Sequence, residues 1–307
     1  MATIKTAWDH VSGNIFKTWV IMFFFSLFTV AVIYVIAQGF GYGEMGGLSL
    51  TGFALIMAGV MNFVSYYWSD KIVLGISGAK PVDEKSNKEL YRLVENLCIA
   101  AGLPKPKIYT IDDSAPNAFA TGRDPKHAAI AFTTGILQKL NKQELEGVTA
   151  HELSHIGNRD TLVMAVVSVL VGTIALLSDF FMRSMFFGGR DRDNKNNTVF
   201  MVIALVAAIL APIIATLIQL AVSRRREFLA DASGVLLTRY PEGLASALQK
   251  ISADKEPLEV ANRGTAHLYI INPLKGQEAK AWLAGLFNTH PPIEARIKAL
   301  REMEGKV

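Results

Sequence analysis

Four stretches of this 307-residue chain carry no charged side chain: residues 18–43, 45–69, 161–178 and 196–223. A bilayer's hydrocarbon core is roughly 30 Å thick and needs about 20 helical residues to cross. The first, second and fourth stretches exceed that length. The third stops at Asp179 after 18 residues and resumes as Phe180, Phe181 and Met182. Within the first, "WVIMFFFSLFTVAVIYVIA" is apolar on every side, and a helix with no polar face is either buried or in lipid. These runs concentrate the apolar excess of a chain that is 51% hydrophobic and only 19% charged, below the roughly one quarter usual for soluble domains. The expectation is an integral membrane protein with about four transmembrane or membrane-embedded helices. The first run is too long for a signal-peptide core and no clear small-residue cleavage site follows it, so it is expected to stay on the chain.

Charge gives the orientation. Lys5 and Lys17 precede the first pair of stretches, and Lys71, Lys80, Lys85 and Lys88 follow it. The loop between them, "GFGYGEMGG", holds one acid and no base. The positive-inside rule therefore places both ends of this hairpin in the cytoplasm, and the cluster Arg224, Arg225, Arg226 after the fourth stretch agrees. The loop "RSMFFGGRDRDNKNN" between the third and fourth stretches disagrees, with Arg183, Arg190, Arg192 and Lys195. Either the second hairpin spans against the charge bias or it is only partly inserted. The net charge of +4 is small, and no basic block with interleaved aromatics points to nucleic acid, so the lipid bilayer is the expected partner. One cysteine, Cys98, excludes an intramolecular disulfide; its place on the apolar face of "YRLVENLCIAAG" makes it a core residue.

The chain divides into an N-terminal hairpin (1–69), a polar stretch (70–160), a second hydrophobic hairpin (161–222) and a second polar stretch (223–307). The polar part is of mixed α+β class. "SNKELYRLVENLCIAAGLPKP" reads as a helix closed by Gly102 and then Pro104. "KIYTI" alternates like a strand, and "APNAFATGRDPKHAAIAF" reads turn, strand, turn, strand. "NKQELEGVTAHELSHIG" begins a helix at Asn141, with Glu144 three residues on as its capping partner.

That helix carries His151, Glu152 and His155 in the spacing H-E-x-x-H. Residues four apart share a face, so both imidazoles can reach one metal ion. Glu152, about 100° round, can instead take a proton from a water made more acidic by zinc. So short a pattern also arises by chance, on a solvated helix face. Here it follows a proper N-cap and ends a polar region just before an apolar run.

A catalytic zinc usually has three protein ligands. The extended pattern H-E-x-x-H-x-x-G-x-x-H is excluded by Asn158 and Thr161. "SRRREFLADASG" offers Glu227 and, four residues on, Asp231. Glu227 can bind the metal while Asp231 accepts a hydrogen bond from the free nitrogen of a zinc histidine. An ordinary solvated helix face is the other reading of this pair. His155 lies just before the third stretch and Glu227 just after the fourth, so a hairpin with adjacent ends would return Glu227 to the histidines.

Taken with "APNAFATGRDPKHAAIAFTTGIL", "AHLYIINPL" and "THPPIEARIKAL", these motifs resemble the HtpX group of membrane zinc metallopeptidases, gluzincins related to the CAAX prenyl proteases. The resemblance runs through most of the chain. It implies a mainly helical zincin-like protease domain with a small β-sheet, one Zn2+ per chain on His151, His155 and Glu227, and Glu152 as the base. It also implies a multi-pass protein of the bacterial inner membrane with its active site on the cytoplasmic side. Such an enzyme would cleave misfolded or damaged membrane proteins under stress, alongside other membrane quality-control partners. The chain departs from the family at Leu229, where Arg is common, which bears on a local salt bridge rather than on the metal.

"PNAFATG" resembles the edge strand that pairs with substrate backbone in such peptidases, which makes Asn117, Ala118 and Phe119 substrate-binding candidates; a strand that merely belongs to the sheet is the alternative. His290, before Pro291 and Pro292 at a helix entrance, could donate to the oxyanion or simply cap and pack. His10, His127 and His267 have no partner spacing and read as structural. Two rival functions stand beside the endopeptidase. One is a CAAX-type prenyl protease, which needs more spans around a chamber. The other is a transporter or scaffold with incidental zinc, which would bury ionisable groups inside its spans.

Overall fold

The computed structural model describes residues 7–39, 43–187, 224–261, 265–271, 273 and 291–305. It begins with two long antiparallel helices, α1 (Ala7–Gly39) and α2 (Gly43–Ile76). Their segments Val11–Tyr34 and Leu48–Ile76 are long and apolar enough to cross a membrane. Both turn large apolar side chains outward, among them Phe23, Phe24, Phe53 and Ile56, a surface that suits lipid rather than water. Inside the pair, Asn62 Nδ2 donates to Met22 O at 3.0 Å and to Ser26 Oγ at 2.7 Å. Such interhelical hydrogen bonds satisfy polar groups that lipid cannot. The helix α2 runs past Ser69 to Ile76, so the first hairpin is longer than its uncharged core.

The polar region starts with a short strand β1 (Lys80–Pro81) and the helix α3 (Lys88–Ala101). Asn87 caps α3, accepting from Leu90 N, and Gly102 closes it at φ 64°, a left-handed conformation that costs glycine little. Strands β2 (Lys107–Ile111), β3 (Ala118–Gly122) and β4 (Ala128–Thr133) follow. The sheet order is β1-β2-β4-β3; β2 and β4 run parallel and the other pairs antiparallel. Because side chains alternate along a strand, Ala118, Ala120 and Ile130 enter one apolar cluster with α3. Phe119, Ala129 and Ala131 enter another with α1 and α2. The strand β3 thus lies on an edge yet is buried on both faces.

After α4 (Thr134–Lys139), the helix α5 (Lys142–Gly157) opens on the expected capping box of Asn141 and Glu144. At its end the chain bends by 82°, with Arg159 at φ 60°, into α6 (Asp160–Phe187). The expectation of about four spans is not confirmed. Among the described residues two helices qualify, and a third only if α5 and α6 count as one bent span. Residues 160–171 are buried, packed with Ile21, Met22, Val73 and Phe119. An apolar run serves a protein core as well as lipid, and the start of the third stretch is used as core. The fourth stretch lies outside the described residues. The fold closes with α7 (Arg224–Thr238), α8 (Pro241–Ala253) and α9 (Ile293–Arg301).

Close packing of α7 on α5 depends on Gly234. A Cβ there would sit 3.1 Å from His151 N and 3.3 Å from Ala150 C, backbone atoms that cannot turn aside. That crossing brings Glu227 and Asp231 to the histidines.

Candidate active site and metal centre

One turn of α5 presents His151, Glu152 and His155, all buried. The two imidazoles face each other, with 3.1 Å between their Nε2 atoms. From α7, Glu227 brings Oε1 to 3.4 Å from His155 Nε2 and Oε2 to 3.9 Å from His151 Nε2. Among the described residues these three form a group whose ligand atoms all lie within 4.8 Å of one another. Tetrahedral zinc with bonds of about 2.0–2.2 Å sets its ligand atoms roughly 3.3 Å apart. The spacing found here brackets that value.

Behind each ring stands a carboxylate. His151 Nδ1 lies 2.9 Å from Asp231 Oδ1, and His155 Nδ1 lies 3.0 Å from Asp160 Oδ2. A carboxylate can only accept, so each Nδ1 carries a proton and each Nε2 keeps a lone pair for a metal. Asp231 was expected from its spacing to Glu227. Asp160, the first residue of α6, was not singled out in the sequence, though it stands in "HELSHIGNRD" five positions after His155.

Arg296 was also missed. It is fully buried on α9 and grips Asp231 with two nitrogens, Nε to Oδ2 at 2.8 Å and Nη2 to Oδ1 at 2.7 Å. Its Nη1 reaches Glu227 Oε2 at 3.2 Å and donates to Ile270 O at 3.0 Å. It also lies 3.4 Å from His151 Nδ1, but neither atom can accept in this tautomer, so that contact is no hydrogen bond. A signal was present: in "IEARIKAL", Arg296 falls on the stripe of Ile293, Ile297 and Leu300, where an amphipathic helix buries apolar residues.

The charges support a cation. Four carboxylates (Glu152, Asp160, Glu227, Asp231) face two guanidinium groups (Arg226, Arg296). With both histidines neutral and Glu152 ionised, as metal binding would leave them, four minus two gives two negative charges, the complement of one divalent ion. Burial pushes Glu152 up to about 7, opposed by the charge of His155 and by a hydrogen bond from Ala120 N–H. That suits a general base working near neutral pH. Burial also lowers the pKa of His151, with the charge of Arg296 acting the same way against Asp231. Burial disfavours the charged form of His155 too, but Asp160 and Glu227 outweigh it and hold its pKa well above the usual imidazole value. A metal binding there would displace that proton.

The sequence matches peptidase family M48 over residues 84–304. The chain belongs to peptidase family M48. A protease HtpX homolog of Dictyoglomus thermophilum is 47% identical to this M48 peptidase over 298 residues, 97% of this chain and 95% of the relative. One from Caldanaerobacter subterraneus is 44% identical over 306 residues, covering 98% and 99%. One from Pyrococcus furiosus is 47% identical over 269 residues, covering 86% and 90%. Among solved structures, S. mikatae Ste24p overlaps with a TM-score of 0.48 at 19% identity, covering 92% of this chain and 66% of that one. The HtpX resemblance read from the motifs is correct, and the protein is a membrane metalloprotease. Neither rival function is favoured. The family match takes in every site residue named above and leaves α1 and α2 outside it.

The remaining candidates fall differently. Asn117, Ala118 and Phe119 do lie at the sheet edge, but the chain itself occupies that edge at Ala118, whose O accepts from Ile270 N at 3.0 Å. Asn117 Nδ2 donates to Ile271 O at 3.0 Å, and Phe119 packs edge-on against Tyr269. His290 lies outside the described residues; α9 starts three positions later. Exposed His127 lies in a turn capped by Asp124, whose carboxylate accepts from His127 N, and buried His267 lies 3.2 Å from Ser168 Oγ, both structural placements. The side chain of His10 lies outside the described residues. Cys98 is buried, and burial pushes its thiol up to about 11, which keeps it unreactive.

Proposed function

We propose that this M48 peptidase holds one zinc ion per chain on His151, His155 and Glu227 and hydrolyses peptide bonds with Glu152 as the general base. The observation that carries this is the convergence of two Nε2 atoms and the Glu227 carboxylate within 4.8 Å of one another, with a second carboxylate behind each ring. When bound, zinc supplies Lewis acidity toward a carbonyl oxygen and a water. Glu152 takes the proton from the attacking water and returns it to the leaving amine. Asp231 and Asp160 hold the two imidazoles in the metal-binding tautomer, while Arg296 keeps Asp231 ionised and holds it and Glu227 in place. The burial of the site strengthens each of these electrostatic contacts.

The substrates are proposed to be polypeptides at the membrane, above all misfolded or damaged membrane proteins met in stress. The protein would work in a bacterial inner membrane with its site on the cytoplasmic side, together with other quality-control factors. Lysines flanking α1 and α2 support that orientation. An extended peptide would pair with the edge of β3 near Asn117, Ala118 and Phe119, displacing Ile270 from Ala118, and His290 would donate to the oxyanion. Glu152→Gln tests the reaction. It should keep its zinc and lose casein cleavage by about 100-fold or more. Undiminished, chelator-sensitive cleavage by that variant would refute the role of Glu152.

A further inference from the structure

The site has a contact that comes from the membrane hairpin. Asn14, buried on α1 three residues into its apolar segment, donates from Nδ2 to Asp160 Oδ1 at 2.7 Å and to Asn158 O at 2.7 Å. Both amide protons are therefore used, one on the end of α5 and one on the start of α6. Asp160 turns its other oxygen to His155 Nδ1 at 3.0 Å. Arg226, one residue before Glu227, donates to the same Oδ1 at 3.0 Å. The amide of Asn14 thus stands at the bend between the histidine helix and α6, and the carboxylate of Asp160 alone separates it from the ring of His155.

We propose that the first membrane helix is a working part of the metal centre: Asn14 is a positioning residue that fixes Asp160 and, through it, the ring of His155. The proposal rests on the zinc site proposed above. Removing Asn14 takes one donor from Asp160 Oδ1, leaving that of Arg226, and takes the side-chain donor from Asn158 O. His155 then loses a fixed orientation, and zinc is held less tightly. Tight metal binding in this way requires α1 to be docked, which ties loading of the protease to assembly of its membrane hairpin.

The test uses the full-length protein in lipid nanodiscs. Zinc affinity is measured by chelator competition, and site geometry by the visible spectrum of the cobalt-substituted form. Partners that orient metal ligands are worth about 10–100-fold in affinity, so Asn14→Leu should weaken zinc binding by at least tenfold and alter the cobalt spectrum. In an Asp160→Asn background the same substitution should add little, because the two act in series. Asn62→Leu is the control. It removes two hydrogen bonds between α1 and α2, about 12 and about 18 Å along the helix from Asn14 at 1.5 Å per residue, and should change neither readout. Asn14→Asp, which keeps the side chain's size and removes the donated protons, replaces Asn14→Leu if leucine prevents folding, with the same loss expected. Wild-type affinity and spectrum in the Asn14 variant would overturn the proposal. Equal weakening by Asn62→Leu would also overturn it, showing only general helix packing. Wild-type protein that takes up no zinc would instead refute the metal site itself.

Discussion

The side chain of Arg296 forms a two-pronged pair with Asp231 and reaches Glu227 with its remaining nitrogen. Lysine at this position keeps one positive charge but cannot span two carboxylates. Arg296→Lys should therefore weaken zinc binding by about tenfold or more and lower the thermal midpoint of the chelator-treated protein. Unchanged values for both would show that the guanidinium fork is dispensable. This residue also marks where sequence reading stops. His151, Glu152 and His155 are legible because four positions make one helical turn, and Glu227 with Asp231 repeats that spacing. The pairing of Arg296 with Asp231 spans 65 positions and has no local signature beyond a charge on an apolar stripe. Asp160 follows a bend of the backbone, so helical spacing counted from His155 does not place it.

At the scale of elements, α5 is held at its start by Glu144. This buried carboxylate accepts from Asn141 N at 2.8 Å, from Ser246 Oγ at 2.6 Å and from Lys250 Nζ at 2.8 Å, tying α5 to α8. Burial pushes its pKa up, but these hydrogen bonds outweigh burial and the net shift is downward. A depressed folded-state pKa stabilises above the unfolded value, and that stability is lost as pH falls through the folded one. Glu144→Gln should thus lower the melting temperature of chelator-treated protein by several degrees at pH 7. The gap should hold down to about pH 5 and close below about pH 4, the range set by an ordinary Glu pKa near 4.3. A gap independent of pH would assign the effect to shape alone. The capping box and the glycine end of α3 were legible because each is a local pattern with a local cause. The third apolar stretch was not, since its composition fits lipid and core alike; its first turns are buried by α1, α2 and β3, contacts that no local pattern encodes.

Across the whole molecule, two membrane-length helices stand beside a protease domain whose parts are interleaved in sequence. The helix carrying the histidines and the helix carrying Glu227 are separated by a long apolar region, yet they cross closely enough for Gly234 to touch the backbone of His151. Arg296 comes from near the end of the chain and Asn14 from near its start. The order of apolar and polar stretches made the meeting of His155 and Glu227 legible, because the two flank one long apolar region of the sequence. The braces from α1 and α9 required the folded structure. The proposed zinc site on His151, His155 and Glu227 joins these parts, and elemental analysis of purified Glu227→Ala beside wild type tests it most directly. Wild type should carry one zinc per chain and Glu227→Ala should lose it while remaining folded. Full zinc occupancy in folded Glu227→Ala would contradict the assignment.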